Sequence, residues 1–325
     1  MTKPLPISKW MVYNSYQKVI AQDGRAGIDK RSIEQFHEDL SGNLDNIWNR
    51  MTSDGYFPPP VLRKQSGKRS SGILAVSDHI AQGVIRDYLE PSCENIFHSS
   101  SFGYRPGRSA HSAIKQCRNN CIKYAWMVDV YIKGLFDNVN HDIILQLLQQ
   151  HTQEKWIMLF IERWLKPREE QEDGSIGVRT KGIPQGGTLN QLFANIYMHH
   201  SFDKWMDEVN TQNPFERYAD NIVVHCSSKE EAELLLEKLK ARMQEYELEL
   251  HPKKTKIKYC KNYQWNDKCG NNSFTFWSDS FQQRIIKTIF HRKNRIALFN
   301  AAIGQQAKTS IKAKLRAVLM CYKLS

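Results

Sequence analysis

The residues best suited to chemistry lie between Phe215 and His225. Apolar and β-branched residues flank the dipeptide Asp220-Asn221, which turns easily, so the pattern predicts a tight β-hairpin with this pair at its tip. A carboxylate at that position would project into solvent or onto a metal ion held against a second strand. The alternative is an ordinary Asp-Asn turn without a function.

A second polar stretch lies on the strand predicted for residues 125–132. Asp129 and Tyr131 point to the same face of that strand because side chains alternate along it. Two loops are candidates for contacting phosphates. The first, Lys64 to Arg69, carries three cations, and the second, Ser101 to His111, combines aromatic residues and glycines with two arginines that could approach a nucleic-acid backbone, Arg105 and Arg108.

The elements that must position these residues follow from periodicity and turn signals. Helices are predicted for residues 8–22, 32–51, 78–89, 110–122, 138–150, 153–165, 189–206 and 228–246. Beyond the hairpin and residues 125–132, strands are predicted for residues 256–259 and 274–281. Ser228 and Glu231 form the pattern of a capping box.

The composition is that of a globular protein with a polyanionic partner. The 325 residues are 41% apolar and 25% charged, enough for one large or two modest domains. Lysine and arginine number 46 against 34 acids, so the net charge is +12, which favours nucleic acid as the partner. No acid follows Asp279, and this basic end is either a phosphate-binding surface or a solvated, partly disordered tail.

The cysteines and the N-terminus indicate a reduced, cytoplasmic protein. The seven cysteines are scattered, odd in number and without zinc-type spacing. Cys117 and Cys121 share a helix face, but no neighbouring residue in the sequence completes a metal site. We expect neither a signal peptide nor a membrane span, because no apolar segment is long enough.

The order of motifs resembles one family, the reverse transcriptase/maturase proteins encoded by group II introns. The matching motifs are Asp23–Asp29, Phe102–His111, Ile132–His141, Gly182–Tyr197, Tyr218–Asp220 and His251–Ile257. The resemblance implies an α+β right-hand polymerase fold with helical and β fingers in residues 1–124. It places a palm with an antiparallel sheet in residues 125–283 and the basic start of a truncated helical thumb in residues 284–325.

The resemblance also implies which residues carry the chemistry. The family holds two Mg²⁺ ions with three carboxylates, one from the palm strand and two from the hairpin. Here Tyr131 occupies the palm-strand position and Asn221 the last hairpin position, so only Asp220 remains. Asp129 could substitute, but two residues along a strand displace it by roughly 6–7 Å, more than the metal–metal distance of roughly 3.5–4 Å. We expect Mg²⁺ binding to be weak or lost.

Other positions still match the family. The resemblance implies that Arg69 contacts the incoming triphosphate, Phe136 discriminates the sugar and Gln185 lies near the template–primer. Lys254 would donate a proton to pyrophosphate. Each of these residues has an alternative interpretation without a function: Arg69 as a surface cation, Phe136 as a core aromatic residue, Gln185 as a polar loop residue and Lys254 as a solvated lysine.

Three hypotheses on function follow. The first is a degenerate RNA-directed DNA polymerase with little or no activity. The second is a non-catalytic, maturase-like protein that binds structured intron RNA by shape and phosphates. The third is an active polymerase whose rearranged ligand set includes Asp129. Expected partners are an RNA template or intron RNA and, if the protein is active, a DNA primer and a deoxynucleoside triphosphate.

Overall fold

A computed structural model describes residues 5–21, 29, 31–59, 61–66, 69–170, 176–183, 186–260, 273–276, 279–287 and 295–303. Its helices are α1 (Lys9–Ile20), α2 (Ile33–Glu38), α3 (Leu40–Thr52), α4 (Val76–Glu94), α5 (Ala110–Lys123), α6 (Leu135–Asn138), α7 (His141–Gln149), α8 (Lys155–Leu165), α9 (Asn190–Met198), α10 (Lys204–Val209) and α11 (Lys229–Glu245).

Its strands are β1 (Val61–Ser66), β2 (Arg69–Ile73), β3 (Trp126–Tyr131), β4 (Arg168–Glu170), β5 (Ile176–Val178), β6 (Phe215–Tyr218), β7 (Asn221–Cys226), β8 (Lys256–Tyr259), β9 (Ser273–Phe276), β10 (Asp279–Lys287) and β11 (Arg295–Ile303). The single strand predicted for residues 274–281 is thus parts of two strands, β9 and β10. Strand β11 occupies residues in which the resemblance implied a helical thumb.

Side-chain caps decide where several helices begin. The hydroxyl of Ser8 accepts a hydrogen bond from the Met11 amide at the start of α1. The predicted capping box of Ser228 and Glu231 is present at the start of α11. The helix predicted for residues 32–51 is instead divided into α2 and α3, because Asp39 leaves helical geometry and accepts from the Gly42 amide.

The chain divides into two compact units that alternate along the sequence. The first comprises Met1–Phe97 and Gly134–His200, and the second comprises His98–Lys133 and Ser201–Ser325. The predicted fingers, palm and thumb have other boundaries and stay a prediction.

The first unit contains a sheet with the strand order β2-β1-β4-β5. The cation-rich segment Lys64 to Arg69 was predicted as a loop, but Ser66 pairs directly with Arg69 in the hairpin of β1 and β2. In the core of this unit the buried carboxylate of Asp78 accepts hydrogen bonds from Tyr56, Trp164 and Gln82. Burial raises the pKa of Asp78 to about 6, although these three donors oppose the shift.

The second unit contains the sheet that carries most of the predicted site, with the order β6-β7-β3-β8. All neighbouring strands in it are antiparallel, as predicted for the palm. The central residues of β3 and β7 are buried on both faces of the sheet, and all of them are apolar except Asp129 and His225. A further sheet in this unit has the order β11-β10-β9.

Among the described residues, the helices are all too short or too polar to cross a membrane.

Candidate functional site

Strand pairing brings the predicted ligand positions together in the second unit. In the register of β3 and β7, Tyr131 lies directly opposite Asn221 and Asp129 opposite Val223. The prediction that the strand of Tyr131 neighbours the hairpin is therefore confirmed. Asp220 immediately precedes Asn221, so its carboxylate belongs to the same end of the sheet.

The hairpin turns one residue earlier than the sequence predicted. Asn221 already pairs with Tyr218 in the ladder of β6 and β7, so the turn consists of Ala219 and Asp220. Ala219 takes a φ of +57°, a left-handed conformation that costs energy for a residue with a side chain. The Nη1 atom of Arg217 donates to the Ala219 carbonyl oxygen at 3.3 Å, which helps to hold this turn.

The backbone of Tyr131 is fixed by the segment that precedes β8. The Tyr131 amide donates to the hydroxyl of Thr255 at 3.3 Å, and the Tyr131 carbonyl accepts from the His251 amide at 2.7 Å. The ammonium group of Lys254 lies 5.8 Å from the centre of the Tyr131 ring. Lys254 therefore lies beside Tyr131.

The phenol of Tyr131 is neutral at physiological pH. Burial first, and then the nearby carboxylates of Asp129 and Asp220, raise the pKa of Tyr131 above its ordinary value of about 10. A neutral phenol offers a metal ion no anionic oxygen.

The carboxylate of Asp129 is paired with the ammonium group of a lysine, Lys258. This carboxylate is buried and its Oδ2 accepts a hydrogen bond from Nζ of Lys258 at 3.0 Å. Burial raises the pKa of Asp129 to about 6, and the Lys258 ammonium opposes that shift. Lys258 and Thr255 were not predicted as site residues. For Lys258 a signal was available, because side chains alternate along the strand predicted for residues 256–259 and Lys256 and Lys258 therefore share one face.

The two predicted ligand residues of the hairpin, Asp220 and Asn221, contact each other. Asp220 and Asn221 are half-buried, and Nδ2 of Asn221 lies 3.5 Å from Oδ1 of Asp220. Asn221 offers a neutral amide oxygen as a ligand. Asp220 is thus the one predicted hairpin ligand that carries a full negative charge.

The two arginines predicted to contact nucleic acid differ in their surroundings. Arg105 is buried, and its Nη1 donates to the carbonyl oxygens of His98 and Ser101 at 2.7 and 2.8 Å. Arg108 is exposed; its Nη1 donates to the carbonyl oxygen of Ser99 at 3.0 Å, and its guanidinium lies 5.6 Å from the centre of the Phe102 ring. Both arginines therefore bind loop carbonyls, but only Arg108 is accessible to a ligand.

The remaining predicted contacts belong to the first unit. Phe136 is half-buried in α6, and its carbonyl accepts from the Ile183 amide at 2.6 Å. Gly182 approaches the Asp137 carbonyl so closely that a Cβ atom would lie 2.7 Å from it. Arg69 starts β2. Gln185 lies outside the described residues.

Comparison with known proteins gives a consistent result. Residues 61–288 match the model of a family described as reverse transcriptase (RNA-dependent DNA polymerase). The chain is 31% identical over 202 residues to the group II intron-encoded protein LtrA of Lactococcus lactis subsp. cremoris, covering 60% of this chain and 33% of LtrA. It is 28% identical over 192 residues to protein YkfC of Escherichia coli, covering 56% and 50% of the two chains.

A third relative is the putative COX1/OXI3 intron 2 protein of Saccharomyces cerevisiae, 27% identical over 241 residues, with 71% of this chain and 28% of that protein covered. The chain thus spans half or less of the length of these relatives. A solved structure of apo telomerase from Candida tropicalis, truncated from its C-terminal domain, aligns with 70% of this chain and 53% of that one at a TM-score of 0.51 and 14% identity. This likeness concerns the fold alone, and with the family match it confirms the predicted right-hand polymerase fold.

Proposed function

Because the chain belongs to the reverse transcriptase family, of the type encoded by group II introns, we propose that it is a reverse transcriptase-like RNA-binding protein whose polymerase activity is weak or absent. The observation that carries the proposal is the pairing of Tyr131 with Asn221, two neutral side chains, where the resemblance implies two carboxylates.

The donor set does not fit a pair of Mg²⁺ ions. Mg²⁺ prefers hard, negatively charged oxygen ligands in an octahedral arrangement. Tyr131 is a neutral phenol and Asn221 a neutral amide, and the carboxylate of Asp129 is engaged by Lys258. One carboxylate, Asp220, is too little negative charge to hold two divalent cations close together.

RNA binding is supported by charge. The net charge of +12 favours association with a polyanion. On the surface of the second unit, Arg108 and Lys254 are exposed cations. We propose that such groups hold structured RNA through its phosphates, which requires no metal ion.

Primer extension on an RNA template, with Mg²⁺ or Mn²⁺, tests the catalytic part. We expect no product from the wild-type chain in either metal. The double change Tyr131→Asp with Asn221→Asp restores the anionic ligands, and we expect measurable synthesis that is lost again on addition of Asp220→Ala. Efficient wild-type extension that disappears with Asp220→Ala would overturn the proposal in favour of an active polymerase that uses Asp129.

The restored double variant also allows the other proposed contacts to be tested. In that background, Lys254→Ala should slow synthesis if Lys254 supplies a proton to pyrophosphate. Lys253→Ala is the matched control, since Lys253 is an exposed neighbouring lysine. We keep Arg69, Phe136 and Gln185 as proposed contacts of the incoming nucleotide and the template–primer, to be tested by alanine substitution in the same way.

Filter binding of intron RNA against salt concentration tests the binding part. Release of counterions predicts that the logarithm of the affinity falls linearly with the logarithm of salt, by about 0.7 per phosphate neutralised on single strands and about 0.9 on duplexes. A slope of several units in wild type, unchanged by Asp220→Ala, is the expected result. A flat response or no binding would contradict RNA binding, whatever the outcome of primer extension.

A further inference from the structure

A second group of polar residues lies in the core of the second unit. The ligand atoms of Cys117, Cys121 and His225 are all within 4.8 Å of one another, and the three residues are buried. Cys117 and Cys121 are one turn apart on α5, and His225 is on β7. The approach of His225 to this cysteine pair could not be predicted, because His225 is far from the two cysteines along the chain.

A third cysteine adjoins the group. Cys260 directly follows β8, is fully buried and belongs to the same core cluster as Cys117 and Cys121. Its backbone amide donates to the Ala125 carbonyl at 2.7 Å, which fixes its position beside the sheet. Cys260 is thus a neighbour of the three-residue group in the same core.

The imidazole of His225 is oriented in the manner of a metal ligand. Its Nε2 atom is 2.8 Å from Oε2 of Glu216, and Oε1 of Glu216 accepts a hydrogen bond from Asn120 at 2.7 Å. The other ring nitrogen, Nδ1, is buried without a hydrogen-bond partner among the described residues. Metal-bound histidines have this pattern, with one nitrogen held by a carboxylate and the other on the metal.

Packing alone explains the thiols but not this histidine. Buried free cysteines usually behave as small apolar side chains, as Cys93 does in α4. Burying an imidazole and a carboxylate costs free energy, and leaving Nδ1 unpaired adds to that cost. A cation bound at Nδ1 would remove the deficit.

We propose that Cys117, Cys121, Cys260 and His225 bind one Zn²⁺ ion in a closed structural site. Thiolate and imidazole ligands select zinc among the common divalent ions, and three cysteines with one histidine form an ordinary tetrahedral set. Zinc–sulfur and zinc–nitrogen bonds of about 2.3 and 2.0 Å require ligand atoms roughly 3.5–4 Å apart. Side-chain rotations that bring the ligand atoms of Cys117, Cys121 and His225 about an ångström closer together would reach that distance.

Binding would displace the protons of the ligands. Zn²⁺ replaces such protons on thiols and imidazole, as it does in other cysteine sites.

The site would link parts of the chain that are distant in sequence. It joins α5, β7 and the residue after β8, the last of these at the end of the continuous described segment 186–260. Because four protein ligands leave no open position, the ion would stabilise the fold and take no part in a reaction.

The test is metal analysis of the full-length chain. We expect about one zinc per chain by mass spectrometry of the purified protein. After removal of zinc, titration with Co²⁺ should produce thiolate-to-cobalt charge-transfer absorption and visible bands of tetrahedral cobalt, both abolished by Zn²⁺. A wild-type chain that shows neither bound zinc nor cobalt–thiolate absorption would overturn the proposal.

Matched variants identify the ligands. Cys121→Ser should abolish the cobalt–thiolate absorption, whereas Cys93→Ser, which also changes a buried free cysteine in a helix, should leave it unchanged. Equal spectra from the two variants would overturn the assignment. Should Cys121→Ser fail to fold, Glu216→Gln serves instead: as a positioning residue it should lower zinc affinity about 10–100-fold, and an unchanged affinity would contradict the site.

Discussion

Arg217 and Asp203 form a fully buried ion pair beside the candidate site. The Nε and Nη2 atoms of Arg217 donate to the two carboxylate oxygens of Asp203 at 2.7 and 2.6 Å, and neither side chain is exposed. Because Arg217 also donates to the carbonyl of Ala219, the conformation of the hairpin turn depends on this pair.

Removing one partner of the pair should be costly. Arg217→Met leaves the Asp203 carboxylate buried without its countercharge, and we expect a loss of about 3–5 kcal/mol in the free energy of unfolding. Lys240→Ala breaks an exposed pair with Glu237 and should cost about 0–1 kcal/mol. Urea unfolding measures both. The double change Arg217→Met with Asp203→Leu should recover much of the stability lost in Arg217→Met. Equal losses of stability in Arg217→Met and Lys240→Ala would refute the argument.

Gly103 should tolerate no side chain. A Cβ atom there would lie 2.5 Å from the Ala219 amide nitrogen and 3.1 Å from the Tyr218 carbonyl carbon, both backbone atoms of the hairpin. We expect Gly103→Ala to destabilise the protein by about 1–3 kcal/mol, as overpacking does. Gly177→Ala is the control, since its Cβ would meet nothing within 4 Å. Thermal unfolding of the two variants should differ clearly, and equal melting temperatures would contradict the close approach.

The buried carboxyl of Asp78 should make stability depend on pH. Its pKa is raised to about 6 by burial, above the unfolded value of about 3.9. The folded state therefore keeps a proton that the unfolded state has lost, so stability falls as the pH rises from about 4 to about 6. For this one group the change is on the order of 3 kcal/mol.

Asp78→Asn removes that titration while keeping an oxygen to accept from Trp164 and Tyr56. We expect its melting temperature to vary less with pH between about 4 and 6 than that of wild type. Asp45→Asn, which changes an exposed carboxylate, should keep the wild-type profile. A wild-type pH profile in Asp78→Asn would show that Asp78 has an ordinary pKa in the folded protein.

Substitution of Arg105 should mainly lower stability, whereas substitution of Arg108 should mainly weaken RNA binding. Arg105→Ala leaves the carbonyl oxygens of His98 and Ser101 without the guanidinium, and we expect a loss of at least about 1–3 kcal/mol. Arg108→Ala should change stability by no more than about 0.5 kcal/mol. Under the proposed function it should also lower the salt slope of RNA binding by about 1. Unfolding and filter-binding measurements on both variants test this difference. A loss of stability in Arg108→Ala equal to that in Arg105→Ala would contradict the assignment of different roles to the two arginines.

Local patterns were sufficient for the strands and capped helices around the site. The strands predicted for residues 125–132 and 256–259 agree with β3 and β8 within one residue. The helix predicted for residues 189–206 is instead α9, a π-helical turn at His199–Asp203, and α10. Hydrophobic periodicity does not distinguish a π turn from an α-helix here, because Met198, Phe202 and Met206 keep the i, i+4 spacing through it.

Long-range relationships were beyond the sequence. The aspartate of the strand, Asp129, was considered as a metal ligand, but nothing in its neighbourhood indicated that Lys258 would occupy its carboxylate. The approach of Cys121 to His225 likewise depends on how α5 packs on the sheet. The conformation of Ala219 was missed because alanine rarely adopts a positive φ, and the neighbouring asparagine is the more usual turn residue.

The loop before Gly103 runs parallel to β6, the outermost strand in the order β6-β7-β3-β8. The Phe102 amide donates to the Arg217 carbonyl at 2.8 Å, and the Arg217 amide donates to the Ser100 carbonyl at 2.9 Å. An uncovered outer strand would offer its amides and carbonyls to a strand of another molecule, and so promote aggregation. The loop satisfies those groups within the chain, and thereby protects this border of the sheet from intermolecular β-pairing.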